Sequence, residues 1–197
     1  MNETEQLKKI FEQEGVLAVT DEKCRGFSRY AFSQLLKSGF LTRAARGVYA
    51  HAGERTRETM SYEEVAKIRP EAVLCLFSAL RVHGLTDENP SRIHVAIPQG
   101  KRFPRGVASV QVYHLSPASW SFGIEEHQGG YGPFKVYSIE KTLVDCFKFR
   151  SVVGLDVAIA ALKEAANKGK IDWNKLWRAM EVCRMTKVMR PYVESLG

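Results

Sequence analysis

The segment from Phe27 to Gly39, FSRYAFSQLLKSG, constrains the fold more than any other, because it carries its own start and stop. Ser28 is placed to cap a helix by accepting from backbone N–H groups of the first turn. Phe27 and Phe32 stand at the two positions of a hydrophobic staple around that cap. Gly39 ends the helix just after Ser38. At 100° per residue from Arg29, the residues Ser33, Lys37, Tyr30 and Gln34 fall at about 40°, 80°, 100° and 140°. Ala31, Leu35, Phe32 and Leu36 fall between about 200° and 340°. One arc packs. The other presents a guanidinium, an ammonium, an amide, a hydroxyl and a phenol.

Charge sharpens that reading. From Lys23 to Ala50 the chain holds six lysines and arginines and no carboxylate, within a protein of net charge +7. Arginine and glutamine can bond base edges bidentately, while lysine and serine hold phosphates. A solvated helix face is the plainer reading of one such helix, and the flanks argue against it. Upstream, the spacing predicts a short helix after Thr20, with Asp21 and Glu22 at its positive end and Gly26 closing it. Leu7, Ile10 and Phe11 form the apolar stripe of an earlier helix. Downstream, FLTRAARGVYAH predicts two short strands around a turn carrying Arg43 and Arg46. Three helices with a basic hairpin make a winged helix-turn-helix. Its candidate DNA contacts are Arg25, Ser28, Arg29, Tyr30, Ser33, Gln34, Lys37, Arg43 and Arg46.

The same residues resemble the N-terminal domain of the AbiEi antitoxin family, with its G-[IF]-S-R start and R-G-V-Y-A close. FSALRVHGL (77–85), RIHVAIPQGKR (92–102), VQVYHL (110–115), VYSIEKTLVDCF (136–147) and the final KVMRPYVESL are similar to later family blocks, in order. The resemblance implies a two-domain repressor of its own toxin–antitoxin operon. Its N-terminal domain would bind inverted repeats in double-stranded DNA. Its C-terminal domain would counter a nucleotidyltransferase-like toxin, which many such pairs do without a stable protein complex.

Residues 51–61 are polar and aperiodic, so the linker is expected there, between a head at 1–53 and a C-terminal domain at 60–197. Ser61 and Glu64 have capping-box spacing for a helix ending near Pro70. Pro70 then opens a helix expected to run to Gly84. IHVAIP, VQVYHL and FKVYSI read as strands. Helices are expected over 139–149, 155–168, 173–183 and 186–195, the third capped by Asp172 and stapled by Ile171 and Leu176, the last broken or kinked at Pro191. Strands gathered between helices give an α+β class, a small mixed sheet with several helices. A second acid-free stretch, Asn89 to Ile124, carries Arg92, Lys101, Arg102 and Arg105, three of them in a loop between strands.

Ser78, His83, Lys101, Arg102, Lys141, Thr142 and Asp145 are the candidate functional residues of the C-terminal domain. Lys141 and Asp145, four apart, are expected as a helix-surface ion pair worth ~0.3–0.5 kcal/mol. His83 reads as a capping or core histidine, and HQGGYG (127–132) as a turn. His94 and His114, both in predicted strands, could face each other across a sheet. No histidine pair has metal-ligand spacing with a carboxylate, and no P-loop or nucleophile elbow is present. The chain is therefore read as a non-enzyme without metal or cofactor. The alternatives are a nuclease-like enzyme with a DNA-binding head, and a plain ligand-responsive repressor. Four widely spaced cysteines read as isolated, mostly buried thiols of a reducing cytosol. With no signal peptide or membrane span, a cytoplasmic protein is expected.

Overall fold

A computed structural model describes residues 2–53, 61–104, 107 and 109–196. The described residues form an α+β structure with a three-stranded and a five-stranded sheet. They group into two compact units. The first comprises residues 1–72 with 103–109 and 127–134, and the second the remainder. Of the expected linker, residues 54–60 lie outside the described residues, as does Arg105.

The first unit begins with α1 (Glu3–Glu14), capped by Asn2, which buries Leu7 and Phe11. Strand β1 (Val16–Ala18) follows. The helix expected after Thr20 is a single 3-10 turn, Glu22–Cys24. Asp21 does not cap it, because its carboxylate accepts from the Ala18 N–H at 2.9 Å and from Lys67 at 3.1 Å. Only four residues separate Asp21 from the helix-ending Gly26, too few for a longer helix. Helix α2 (Arg29–Lys37) has the expected Ser28 cap, and its buried residues are Ala31, Phe32 and Leu35. Gly39 follows it with φ +75°, the left-handed conformation glycine accepts without steric cost.

Strands β2 (Leu41–Ala45) and β3 (Val48–His51) form the expected hairpin, and β3 lies between β1 and β2, antiparallel to both. Arg46 occupies the turn, whereas Arg43 sits within β2, opposite Tyr49. The register shifts between Arg43 and Ala45, a bulge of the kind that re-aims side chains near a turn. Helix α3 (Tyr62–Ile68) starts at the Ser61–Glu64 capping box. Segment 127–134 joins this unit through Tyr131, whose ring fills the space a Cβ at Gly15 would need, and Phe134, against Tyr62 at 5.4 Å.

In the second unit, Val73–Leu74 is not helix but strand β4, at the middle of the five-stranded sheet. It pairs antiparallel with β5 (Ile93–Pro98) and parallel with the strand holding Val136. The helix that follows is correspondingly shorter, α4 (Leu76–Val82), and Leu76 turns the chain with φ +47°. Strand β6 (Val110–Leu115) runs parallel to β5, His94 pairing with Gln111 and Ile97 with His114. His94 and His114 therefore do not face each other. Helix α5 (Pro117–Ser121) leads to β7 (Ile124–Gly129) and β8 (Gly132–Tyr137), giving the order β6-β5-β4-β8-β7.

Helices α6 (Ile139–Lys148), α7 (Arg150–Val153), α8 (Leu155–Asn167), α9 (Trp173–Val182) and α10 (Thr186–Glu194) complete the chain. Asp172 caps α9, and α10 continues through Pro191. Helix α6 packs against α4, α8, α9 and α10, and every residue from Glu140 to Phe147 is buried. A helix buried all round lies within a core rather than on it.

Candidate functional site

Helix α2 is held by its ends and its apolar arc. Ser28 Oγ accepts from the Ala31 N–H at 3.3 Å and donates to Glu3 at 2.8 Å, and Glu3 also receives the Ser28 N–H. Ser28 is thus committed to capping α2 and tying it to α1. Phe27 and Phe32 join one apolar cluster, as a staple requires, and Phe32 meets Phe11 edge-on at 6.2 Å and Tyr49 at 5.0 Å. The Tyr49 contact turns one face of the hairpin towards α2. Arg43, directly opposite Tyr49, is carried to the same face.

The result is an open groove of about 520 Å³, lined by Arg29 and Ser33 from α2, Arg43 and Arg46 from the hairpin, and an apolar base that includes Phe32 and Tyr49. Cys24, also in the lining, is pushed up to about 11 by burial, so it is no thiolate nucleophile. Arg29, Arg43 and Arg46 are exposed, as are Arg25, Lys37 and Tyr30. Ser33 and Gln34 are half-buried. Lys37, Tyr30 and Gln34 do not line the groove; they continue the polar arc of α2 beyond it. Lys23, the first of the six cations in the acid-free run, is paired with Glu14. Among the described residues, no carboxylate pairs with Arg25, Arg29, Lys37, Arg43 or Arg46. Three guanidiniums around one concavity can hold successive oxygens of a polyanionic backbone. Tyr49, which stands opposite Arg43 and packs on Phe32, carries no signal in sequence that would set it apart from other strand aromatics.

The candidates of the second unit divide sharply. Lys101 and Arg102 are exposed on the loop between β5 and β6, where the His114 ring donates to the Lys101 carbonyl at 3.1 Å. Ser78, His83, Lys141, Thr142 and Asp145 are buried. Ser78 Oγ accepts from the His94 N–H at 2.9 Å. The Tyr137 carbonyl accepts from His83 Nε2 at 2.7 Å and from Thr142 Oγ1 at 3.2 Å. His83 also caps α4, so it is the capping and core histidine expected.

Lys141 and Asp145 overturn the surface-pair expectation, for their side chains are 0% and 1% exposed. Lys141 Nζ donates to Asp145 Oδ2 and lies over the Tyr137 ring, 4.2 Å from its centroid. Gly123, with φ +70°, makes room, since a Cβ there would come within 2.9 Å of Lys141 Cβ. Burial raises Asp145 above the usual carboxylate range, and the Lys141 charge opposes that shift. Burial also pushes the Cys75 and Cys146 thiols and the Tyr137 phenol upward. A pair so enclosed is out of a substrate's reach. The pair links α6 to the sheet through the ring of Tyr137, a residue that sequence reasoning did not single out. Among the described residues, no group of three or more His, Cys, Asp or Glu is arranged to hold a metal.

Residues 72–190 match the family model described as the AbiEi antitoxin C-terminal domain, a span that begins one residue before the second unit. The fold is similar to the crystal structure of the RV2827C protein from Mycobacterium tuberculosis, with a TM-score of 0.64 at 16% identity over 91% of this chain and 71% of that one. No curated protein matches the sequence.

Proposed function

The chain belongs to the AbiEi antitoxin family, a regulatory kind of protein acting in toxin–antitoxin pairs, and from that premise we propose that it represses its own operon by binding operator DNA. The DNA-reading head lies within residues 1–53 and works as a winged helix-turn-helix whose second helix, the one before α2, is reduced to one 3-10 turn. Helix α2 enters the major groove of an inverted-repeat half-site, with Tyr30, Ser33 and Gln34 nearest the base edges. The β2–β3 hairpin is the wing. Arg29, Arg43 and Arg46 clasp the phosphate backbone where it passes between helix and wing, and Arg25 and Lys37 anchor either end. Residues from 60 onward carry the antitoxin function against a nucleotidyltransferase-like toxin, in the cytoplasm where operator and toxin meet. No helix of the described residues is long and apolar enough to cross a membrane.

The observation that carries this reading is the convergence of three exposed arginines from two separate elements on one groove. The test is a gel-shift titration of the chain against its own promoter. Wild type binds in a salt-dependent manner, and the Arg29→Ala, Arg43→Ala, Arg46→Ala triple variant binds at least about tenfold more weakly. A triple variant that binds like wild type ends the proposal.

A further inference from the structure

The acid-free run from Asn89 to Ile124 builds a second feature, which the DNA-binding reading does not use. A cleft of about 310 Å³ is lined by Ser91, Arg92, His94, Gln111, Tyr113 and Val152. Its walls follow from strand geometry. In the parallel β5–β6 pair His94 stands beside Gln111 and Ala96 beside Tyr113, so the period of two puts His94, Gln111 and Tyr113 on one sheet face. Arg92, two residues before His94, continues that face.

Two of the polar groups here, His94 and Arg92, are each held by a side-chain hydrogen bond. Tyr113 Oη lies 3.0 Å from His94 Nδ1, and the two rings stack at 5.5 Å, with Phe77 edge-on to His94 at 5.5 Å. Burial pushes the Tyr113 phenol up to about 12 and holds the imidazole below its ordinary value, so the phenol is protonated and the ring neutral. The phenol O–H donates to Nδ1, which places the ring's own proton on Nε2. Among the described residues Nε2 has no protein partner. Arg92 Nη1 donates to Gln111 Oε1 at 3.1 Å, which steadies the guanidinium and leaves its other N–H groups available. Ser91 adds a hydroxyl, and among the described residues no carboxylate lines the cleft.

We infer that this cleft binds the phosphoryl group of a small phosphorylated molecule, held by Arg92, Ser91 and His94 Nε2, with Val152 against its organic part. One charged and two neutral donor groups around one cleft suit the three terminal oxygens of a phosphoryl group, the planar Arg92 fork matching two of them and leaving the third to Ser91 and His94. The volume suits a small ligand rather than a polymer. The site would make the antitoxin half of the chain responsive to a phosphorylated metabolite or nucleotide.

Calorimetric titration of the full chain with inorganic phosphate and with a nucleoside triphosphate tests the inference. Saturable binding of at least one probe is expected, weakened at least tenfold by Arg92→Ala and by His94→Gln. Arg92 is exposed, so Arg92→Ala should melt like wild type even if His94→Gln folds poorly. Phosphate binding alone identifies a free phosphoryl ligand. Triphosphate binding that excess phosphate displaces identifies a nucleotide held by its phosphates. Triphosphate binding that phosphate cannot displace, or no saturable binding by either probe, overturns the site. Indifference to Arg92→Ala does so too. Operator binding should be unchanged in Arg92→Ala; its loss would assign Arg92 to the DNA footprint and equally refute the cleft.

Discussion

Lysine and arginine appear in two opposite settings in this molecule. Around the groove of the first unit, Arg29, Arg43 and Arg46 are exposed and face no carboxylate among the described residues. In the second unit, Lys141 is fully buried with its charge answered by Asp145 and the Tyr137 ring. An exposed cation keeps its hydration and costs the fold little, so it is available to a partner. A buried one has already given up its water, and its partner is internal. The contrast separates residues that serve recognition from residues that hold the structure, although both sets looked alike as charges in a string.

The largest effect should come from breaking the internal pair. Lys141→Met leaves the Asp145 carboxylate buried and unpaired, and Asp145 Oδ1 already lacks a hydrogen-bond partner. A loss of about 3–5 kcal/mol is expected from denaturant midpoints, much of it recovered in the Lys141→Met, Asp145→Leu double variant. If the single variant costs under about 0.5 kcal/mol, the pair is not enclosed and the contrast fails.

How much of this was legible in the sequence depends on the range of the interactions involved. Helix α2 was readable because its cap, staple and terminating glycine all lie within thirteen residues. The hairpin was readable for the same reason, though not the bulge that puts Arg43 inside β2. Val73–Leu74 looked like the start of a helix because a two-residue strand is decided by its pairing with Val95, Ala96 and Val136, all distant in the chain. Strand β7 was hidden by its composition, IEEHQG, with no residue fully buried. Lys141 and Asp145 have the spacing of a surface pair. Only the helices packed around α6 reveal them as internal.

A smaller effect should follow at the seam between recognition and structure. Ser28→Ala removes the α2 cap and the tie to Glu3, and should cost about 1 kcal/mol in thermal or chemical unfolding. Weaker operator binding should accompany it, because the reading helix frays. Unchanged stability would show that the cap contributes nothing.

His94 should add a slope rather than a step. Its folded value lies below its unfolded one, so the unfolded chain takes up a proton first as pH falls from about 6.5. Acidification through that window should therefore destabilise wild type more than His94→Gln. Parallel midpoint-versus-pH curves for the two proteins would contradict the burial of that ring.

The exposed arginines should affect stability least, within about 0.5 kcal/mol for each alanine variant. Their effect belongs to binding, and the most direct measurement is the slope of log affinity against log salt on operator DNA. Arg29→Ala, Arg43→Ala and Arg46→Ala should each flatten that slope by roughly one unit, with folding untouched. Slopes identical to wild type in all three would contradict the claim that this groove holds a phosphate backbone.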